Sequence, residues 1–240
     1  MSFCQPDNSN FSCGACCGFL NLKLSKKEII GLLAQRTIEF QGSVHFQENH
    51  TIAAYRQSRE KIEKDIPKFD ETTYNCPFLG NISAGKVGCM IHPEATQNPK
   101  SQNFSFYGAS ICQGYDCKNK ERQTAEHWER FLANLDIDSF SYSLIAGDHV
   151  SLSKIENFFF ALGIEGDEFF QTLENILIVL IEKILYMRGL KDSMGFITSF
   201  ETDYSTPDED TLYALCERLG IQPDTKFFEK MKNIAKEVLT

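Results

Sequence analysis

The sequence predicts a mainly α protein in which an irregular cysteine-rich module, residues 1–120, packs on a small helical half, residues 121–240. Three observations carry that expectation. Capped, amphipathic segments recur along the chain, most densely in its second half. The stretch from Thr72 to Cys117 is rich in Gly, Asn, Pro and Ser and has no sustained helical period. Eight of the nine cysteines, Cys4, Cys13, Cys16, Cys17, Cys76, Cys89, Cys112 and Cys117, fall in the first half. At 240 residues the chain is long enough to bury a conventional core, whether the two stretches form one continuous domain or two small ones.

The elements follow in order. Ser25-Lys26-Lys27-Glu28 has the form of a capping box and precedes Ile29, Ile30, Leu32 and Leu33, which predicts a helix over about 26–41. A second helix is expected from near Thr51 to Ile66 and is stopped by Pro67, which cannot donate the next helical hydrogen bond. Residues 72–117 read as loops with short strands. Lys118 to Leu135, which carries the only tryptophan, Trp128, reads as an amphipathic helix joining the halves, and Ser139 to Ile145 as a short strand. Helices are then expected after Ser151 or Ser153, after Asp167, after Thr206-Pro207-Asp208-Glu209, and from Pro223 to Val238. Gly220 closes the third of these, and Cys216 within it reads as a small core hydrophobe. The phenylalanines at 158–160 and 169–170 read as packing.

The formal net charge of −9 and a pI near 5.1 argue against a nucleic-acid partner, which would be held largely by neutralising phosphates. The most apolar stretch, Phe169 to Leu190, is interrupted by Glu174, Glu182, Lys183 and Arg188, so no membrane span is expected. The first residues, Met1-Ser2-Phe3-Cys4-Gln5-Pro6-Asp7, show neither the basic nor the apolar region of a secretory leader. The expectation is therefore a cytoplasmic protein whose thiols stay reduced, and the cysteines are better read as metal ligands than as a disulfide framework. Adjacent Cys16 and Cys17 argue the same way, because a bond between neighbours strains the backbone. A soft metal needs several thiolates converging from different stretches, and Cys13-Gly14-Ala15-Cys16-Cys17 supplies a first group at small entropic cost.

Three ordered blocks, Cys13-Gly14-Ala15-Cys16-Cys17, Cys76-Pro77-Phe78-Leu79 and Gly88-Cys89-Met90-Ile91-His92-Pro93, followed by Cys112 and Cys117, resemble the YkgJ-like cysteine-cluster family of zinc- or iron-chelating domains. The resemblance covers about residues 10–120. It implies that Cys13, Cys16, Cys17, Cys76 and Cys89 lie in ligand-forming blocks and that a later cysteine completes the set. This chain departs from the family at the third block: typical members continue with Arg-Pro and a further cysteine, whereas here a long polar insert follows His92-Pro93. Cys112 and Cys117 flank a glycine turn, so either or both can serve, and both are favoured.

Zinc and iron stay close to even. Eight thiolates would fill two closed zinc sites. Ligands on separated loops suit a wider iron–sulfur centre such as a 4Fe-4S cluster, which tips the balance towards iron. Cys16 and Cys17 would not both bind one zinc comfortably, so one of them would serve a second centre or the core. His92, three residues beyond Cys89, is either a ligand or a turn residue before proline. His45, His50, His127 and His149 show no i, i+4 pairing and read as surface residues. The chain has no phosphate loop, dinucleotide fingerprint, nucleophile elbow or His-Glu-x-x-His motif. The acidic runs at Asp136 and Asp138 and at residues 208–210 read as helix starts. The function expected is metal binding by clustered thiolates. Two alternatives stand beside it: an iron–sulfur enzyme with a redox or methyl-transfer role, since the resemblance extends to a module of flagellin lysine N-methylases, and a zinc-stabilised adaptor for an unknown protein partner.

Overall fold

A computed structural model gives the fold of residues 3–7, 9–115 and 117–160, together with residues 170, 177, 178, 181, 182 and 233. The expected helix starts at Asp167 and Thr206, Gly220, Cys216 and all but one residue of the segment from Pro223 to Val238 lie outside the described residues. The described residues form seven α-helices and one two-stranded antiparallel sheet, in keeping with a mainly α fold.

Helix α1, Lys26–Ser43, begins where its capping box places it. The Ser25 hydroxyl accepts from the Glu28 amide, and the Glu28 carboxylate accepts from the Ser25 amide at 2.7 Å. Its buried face is Ile29, Leu33, Arg36 and Phe40, spaced as one stripe of a 3.6-residue helix. Helix α2, Asn49–Glu63, buries Ile52, Tyr55 and Arg59 on the same logic. Tyr55 and Phe78 both meet the Phe40 ring edge-on, with centroids 5.1 and 6.3 Å away.

The segment read as loops contains the hairpin β1, Leu79–Ser83, and β2, Lys86–Cys89. It also holds two helices that the sequence did not suggest, α3, Pro93–Thr96, and α4, Gly108–Gly114, with a 3-10 turn at Ser101–Phe104 between them. Beyond Cys117 the expected long helix shortens to α5, Ala125–Ala133. Residues 118–124 form turns instead, because their side chains bond out of register. Asn119 donates to the Ala146 carbonyl at 2.8 Å, and Arg122 reaches Asn119, the His149 carbonyl, Ser153 and Glu156. Glu156 in turn accepts from the indole of fully buried Trp128 at 2.6 Å.

The strand expected at Ser139 to Ile145 is a helix, α6, Ser139–Ala146, capped by the Asp138 carboxylate, which accepts from the Ser141 amide at 2.9 Å. Its alternating serines mimic a strand because they are polar on a buried helix. Ser139 accepts from the Ser12 amide at 3.0 Å, and Ser143 accepts from the Gly14 amide at 2.9 Å. These bonds dock the N-terminal loop onto α6, while Phe140 and Leu144 join Phe19, Leu20, Ile29, Leu33, Leu79 and Val87 in one core. Helix α7, His149–Phe160, follows, its start set by Asp148, which accepts from the Ser151 amide at 3.1 Å. Leu177 and Ile181, four residues apart, are fully buried as expected of the apolar element beyond it.

Candidate metal centre

Each cysteine is placed by a local device. The Cys13 amide donates to the Cys4 carbonyl at 2.7 Å, so the N-terminal strap and the first cysteine block run together. Residues Ala15–Cys17 form one 3-10 turn, in which successive side chains are turned by about 120°. Cys17 packs beside the core holding Cys76 and Phe78 while Cys16 is exposed, yet both line the larger cavity and their thiols hydrogen-bond to each other. Gly18 then takes φ +78°, and a Cβ there would stand 2.4 Å from the Tyr74 carbonyl oxygen, so only glycine lets the chain turn here.

The second block is held from behind. The Cys76 amide donates to the Cys17 carbonyl at 2.9 Å, and the Arg36 guanidinium donates to the Cys76 carbonyl at 3.0 Å. Arg36 also pairs with Glu63, which pairs with Arg59, which pairs with Glu39, so a buried ion network bolts α1 to α2 beneath the Cys76 loop. The Tyr55 hydroxyl lies 3.1 Å from the carbonyls of both Arg36 and Pro77. Burial alone would raise the Glu63 carboxyl, but the hydrogen bonds and charges of Arg36 and Arg59 outweigh it and hold Glu63 below its usual value.

The hairpin delivers the third block, with Leu79 paired to Cys89. Cys89 Sγ accepts from Gln102 Nε2 at 3.7 Å, and Gln102 Oε1 is buried with no hydrogen-bond partner among the described residues. Ser105 Oγ accepts from the Gly108 amide and lies 3.4 Å from Cys112 Sγ, which fixes the thiol of α4. Cys117 follows α4 and precedes the turn whose Asn119 is anchored on the end of α6.

All eight cysteines of the first half line two adjoining cavities. The larger, about 690 Å³, is lined by Cys4, Cys13, Cys16, Cys17, Cys76, Cys89 and Cys112. The smaller, about 200 Å³, is lined by Cys4, Cys13, Cys16, Cys112 and Cys117. The seven cysteines expected from the sequence thus sit around connected space, with Cys4 as an eighth. Among the described residues none of them is joined in a disulfide. No three His, Cys, Asp or Glu side chains among those residues are close enough together to hold one ion.

The electrostatics follow from burial and crowding. Cys13 is raised by burial and then by the charge of Cys4, Cys16 and Cys117. Cys89 is pushed up to about 12, mainly by burial and then by Cys76. Burial likewise raises Cys112. Cys17 hydrogen-bonds to both Cys16 and Cys76. These contacts keep Cys17 protonated, and through them Cys16 and Cys76 are lowered. Many thiolates cannot coexist here without a compensating cation. A bound metal would supply it, since coordination deprotonates thiols outright. The donor set is soft sulfur throughout, which fits zinc and iron.

His92 caps α3 through Nδ1, which accepts from the Glu94 amide at 3.3 Å, in line with its reading as a turn residue. Two of the other histidines depart from the surface reading: the His127 ring stacks on Phe170 at 5.4 Å, and His149 lines the smaller cavity. The sequence reading missed Arg36, Gln102 and Ser105. Arg36 alone had a visible signal, a charge set on the apolar stripe of α1. No helix among the described residues is long and apolar enough to cross a membrane. No family model matches the chain, and no curated protein and no solved structure matches it.

Proposed function

We propose that this chain is a cytoplasmic metal-binding protein that uses clustered cysteine thiolates to hold zinc or iron, an iron–sulfur cluster included, and that its resemblance to the YkgJ-like family reflects that role. The observation that carries the reading is that eight thiols from separate stretches of the chain line two connected cavities without a disulfide. Buried sulfur that serves only packing is surrounded by apolar side chains, whereas these sulfurs border one another and open space. The metal ion is the partner implied, and the acidic balance continues to argue against nucleic acid.

A second reading, an iron–sulfur enzyme with a redox or methyl-transfer role, draws on the larger cavity. Its volume falls in the range of about 300–1,000 Å³ usual for small-molecule sites. Purification without oxygen, followed by elemental analysis and a visible spectrum, tests both readings. Stoichiometric zinc or iron is expected, with a brown chromophore if iron–sulfur is present. Protein that is isolated metal-free, and that takes up neither zinc nor iron after reduction, would overturn the proposal.

A further inference from the structure

Beyond metal binding, we infer that Cys17 and Cys76 form a dithiol redox centre that reduces hydroperoxides entering the larger cavity and closes to a disulfide as it does so. That chemistry needs two sulfurs held in contact, and the fold supplies them. The Cys17 thiol hydrogen-bonds to the thiol of Cys76, although the two lie far apart in sequence. The Cys76 amide donates to the Cys17 carbonyl at 2.9 Å, so their backbones are joined beside the thiols. A disulfide needs Cα atoms about 4.4–6.8 Å apart, and facing residues on directly bonded backbones stand about 4.5–5.5 Å apart. Both sides are fixed: Gly18 turns the chain at φ +78° against the Tyr74 carbonyl, and the Arg36 guanidinium holds the Cys76 carbonyl at 3.0 Å. Cys16 also hydrogen-bonds to Cys17, but a bond between neighbours strains the peptide that links them. Cys76 is therefore the partner that closes with the smaller change of backbone.

Both thiols line the larger cavity, about 690 Å³, and Cys16 beside them is exposed, so a small oxidant reaches the pair from solvent. The attacking sulfur is that of Cys76, which lies beside the fixed positive charge of Arg36. It bonds to the distal oxygen of the hydroperoxide, the O–O bond breaks, and the thiol proton leaves with the other oxygen as an alcohol, or as water when the oxidant is hydrogen peroxide. Cys76 is then a sulfenic acid. The Cys17 sulfur attacks the Cys76 sulfur, the S–O bond breaks, and the hydroxyl leaves with the Cys17 proton as water. Two thiols thus lose two electrons and two protons while one hydroperoxide becomes an alcohol and water. An external dithiol reverses the closure by exchange. The step takes two sulfurs and no third ligand, which suits a fold in which no three His, Cys, Asp or Glu side chains among the described residues are close enough to hold one ion.

Hydrogen peroxide added below one equivalent to the reduced full-length protein under nitrogen tests this, both as isolated and in excess chelator. The remaining thiols are alkylated and the peptides are mapped by tandem mass spectrometry. A Cys17–Cys76 disulfide is expected, with two thiols lost for each peroxide consumed and both regained on treatment with dithiothreitol. The wild-type map needs no variant. Cys17→Ser should abolish the disulfide and leave a sulfenic acid at Cys76 that dimedone traps. Peroxide spent on other thiols in both samples, a Cys16–Cys17 bond included, with Cys17 and Cys76 not joined, would overturn the inference. Metal analysis of the same protein before peroxide is added keeps the two readings apart. Protein that carries metal and forms no Cys17–Cys76 bond in either sample overturns this inference alone. Protein that forms the bond and takes up neither zinc nor iron overturns only the metal reading.

Discussion

The Arg36 guanidinium donates to the carbonyl of Cys76 at 3.0 Å from a position only 1 % exposed, so a charge buried inside the helical pair fixes the backbone of the Cys76 loop. Glu63 makes that burial tolerable by pairing with both Arg36 and Arg59. Removing the charge of Glu63 leaves the buried Arg36 guanidinium without an acidic partner and Arg59 with Glu39 alone. The cost of breaking such a network by deleting one member is about 3–5 kcal/mol. Glu63→Gln is expected to lose stability of that order in urea unfolding and to release metal more readily than the wild type. A midpoint within error of the wild type would show that the network is incidental.

The sequence made the helical frame legible where local signals agree. The capping box at Ser25 placed α1 to within two residues at its far end, and the cysteine spacing found the thiols that line the cavities. It failed where a side chain served a distant backbone group. Ser139 and Ser143 alternate with Phe140 and Tyr142 as a strand would, yet their hydroxyls receive the amides of Ser12 and Gly14, which lie more than 120 positions earlier in the chain. Arg36 and Arg59 each sit on the apolar stripe of their helix. Their partners came into view only once α1 and α2 were placed side by side. No local pattern announces a contact of that range, because periodicity reports which face is buried and not what it meets.

Stability should run in opposite directions with pH in the metal-free and loaded forms. Cys89 is raised to about 12 in the fold, against about 8.5 for an unperturbed thiol. A raised group favours the folded state below its unfolded pKa, and that contribution disappears as pH climbs towards the folded value. The metal-free protein is therefore expected to weaken between about pH 8.5 and 12, less steeply in Cys89→Ser. In the loaded protein the thiols are held as thiolates, so stability should instead fall towards acid as protons compete with the metal. Thermal unfolding across pH, with and without zinc, checks both slopes. Parallel slopes in the two forms would contradict thiolate ligation.

Gln102 touches the Cys89 thiol through its side-chain amide. Its Nε2 donates to Cys89 Sγ, and its Oε1 is buried without a hydrogen-bond partner among the described residues, so the amide already leaves one polar atom unsatisfied. Replacing it by leucine removes that penalty together with one weak sulfur hydrogen bond. The two effects oppose each other and should change metal-free stability by no more than about 1 kcal/mol. Loss of a group that orients a ligand typically costs about 10–100-fold in metal affinity. Gln102→Leu is thus expected to surrender zinc to a competing chelator at least about tenfold more readily while unfolding at a nearly unchanged urea concentration. Loss of stability and of metal in proportion would mean that Gln102 only fills space. Unchanged affinity would remove it from the surroundings of the centre.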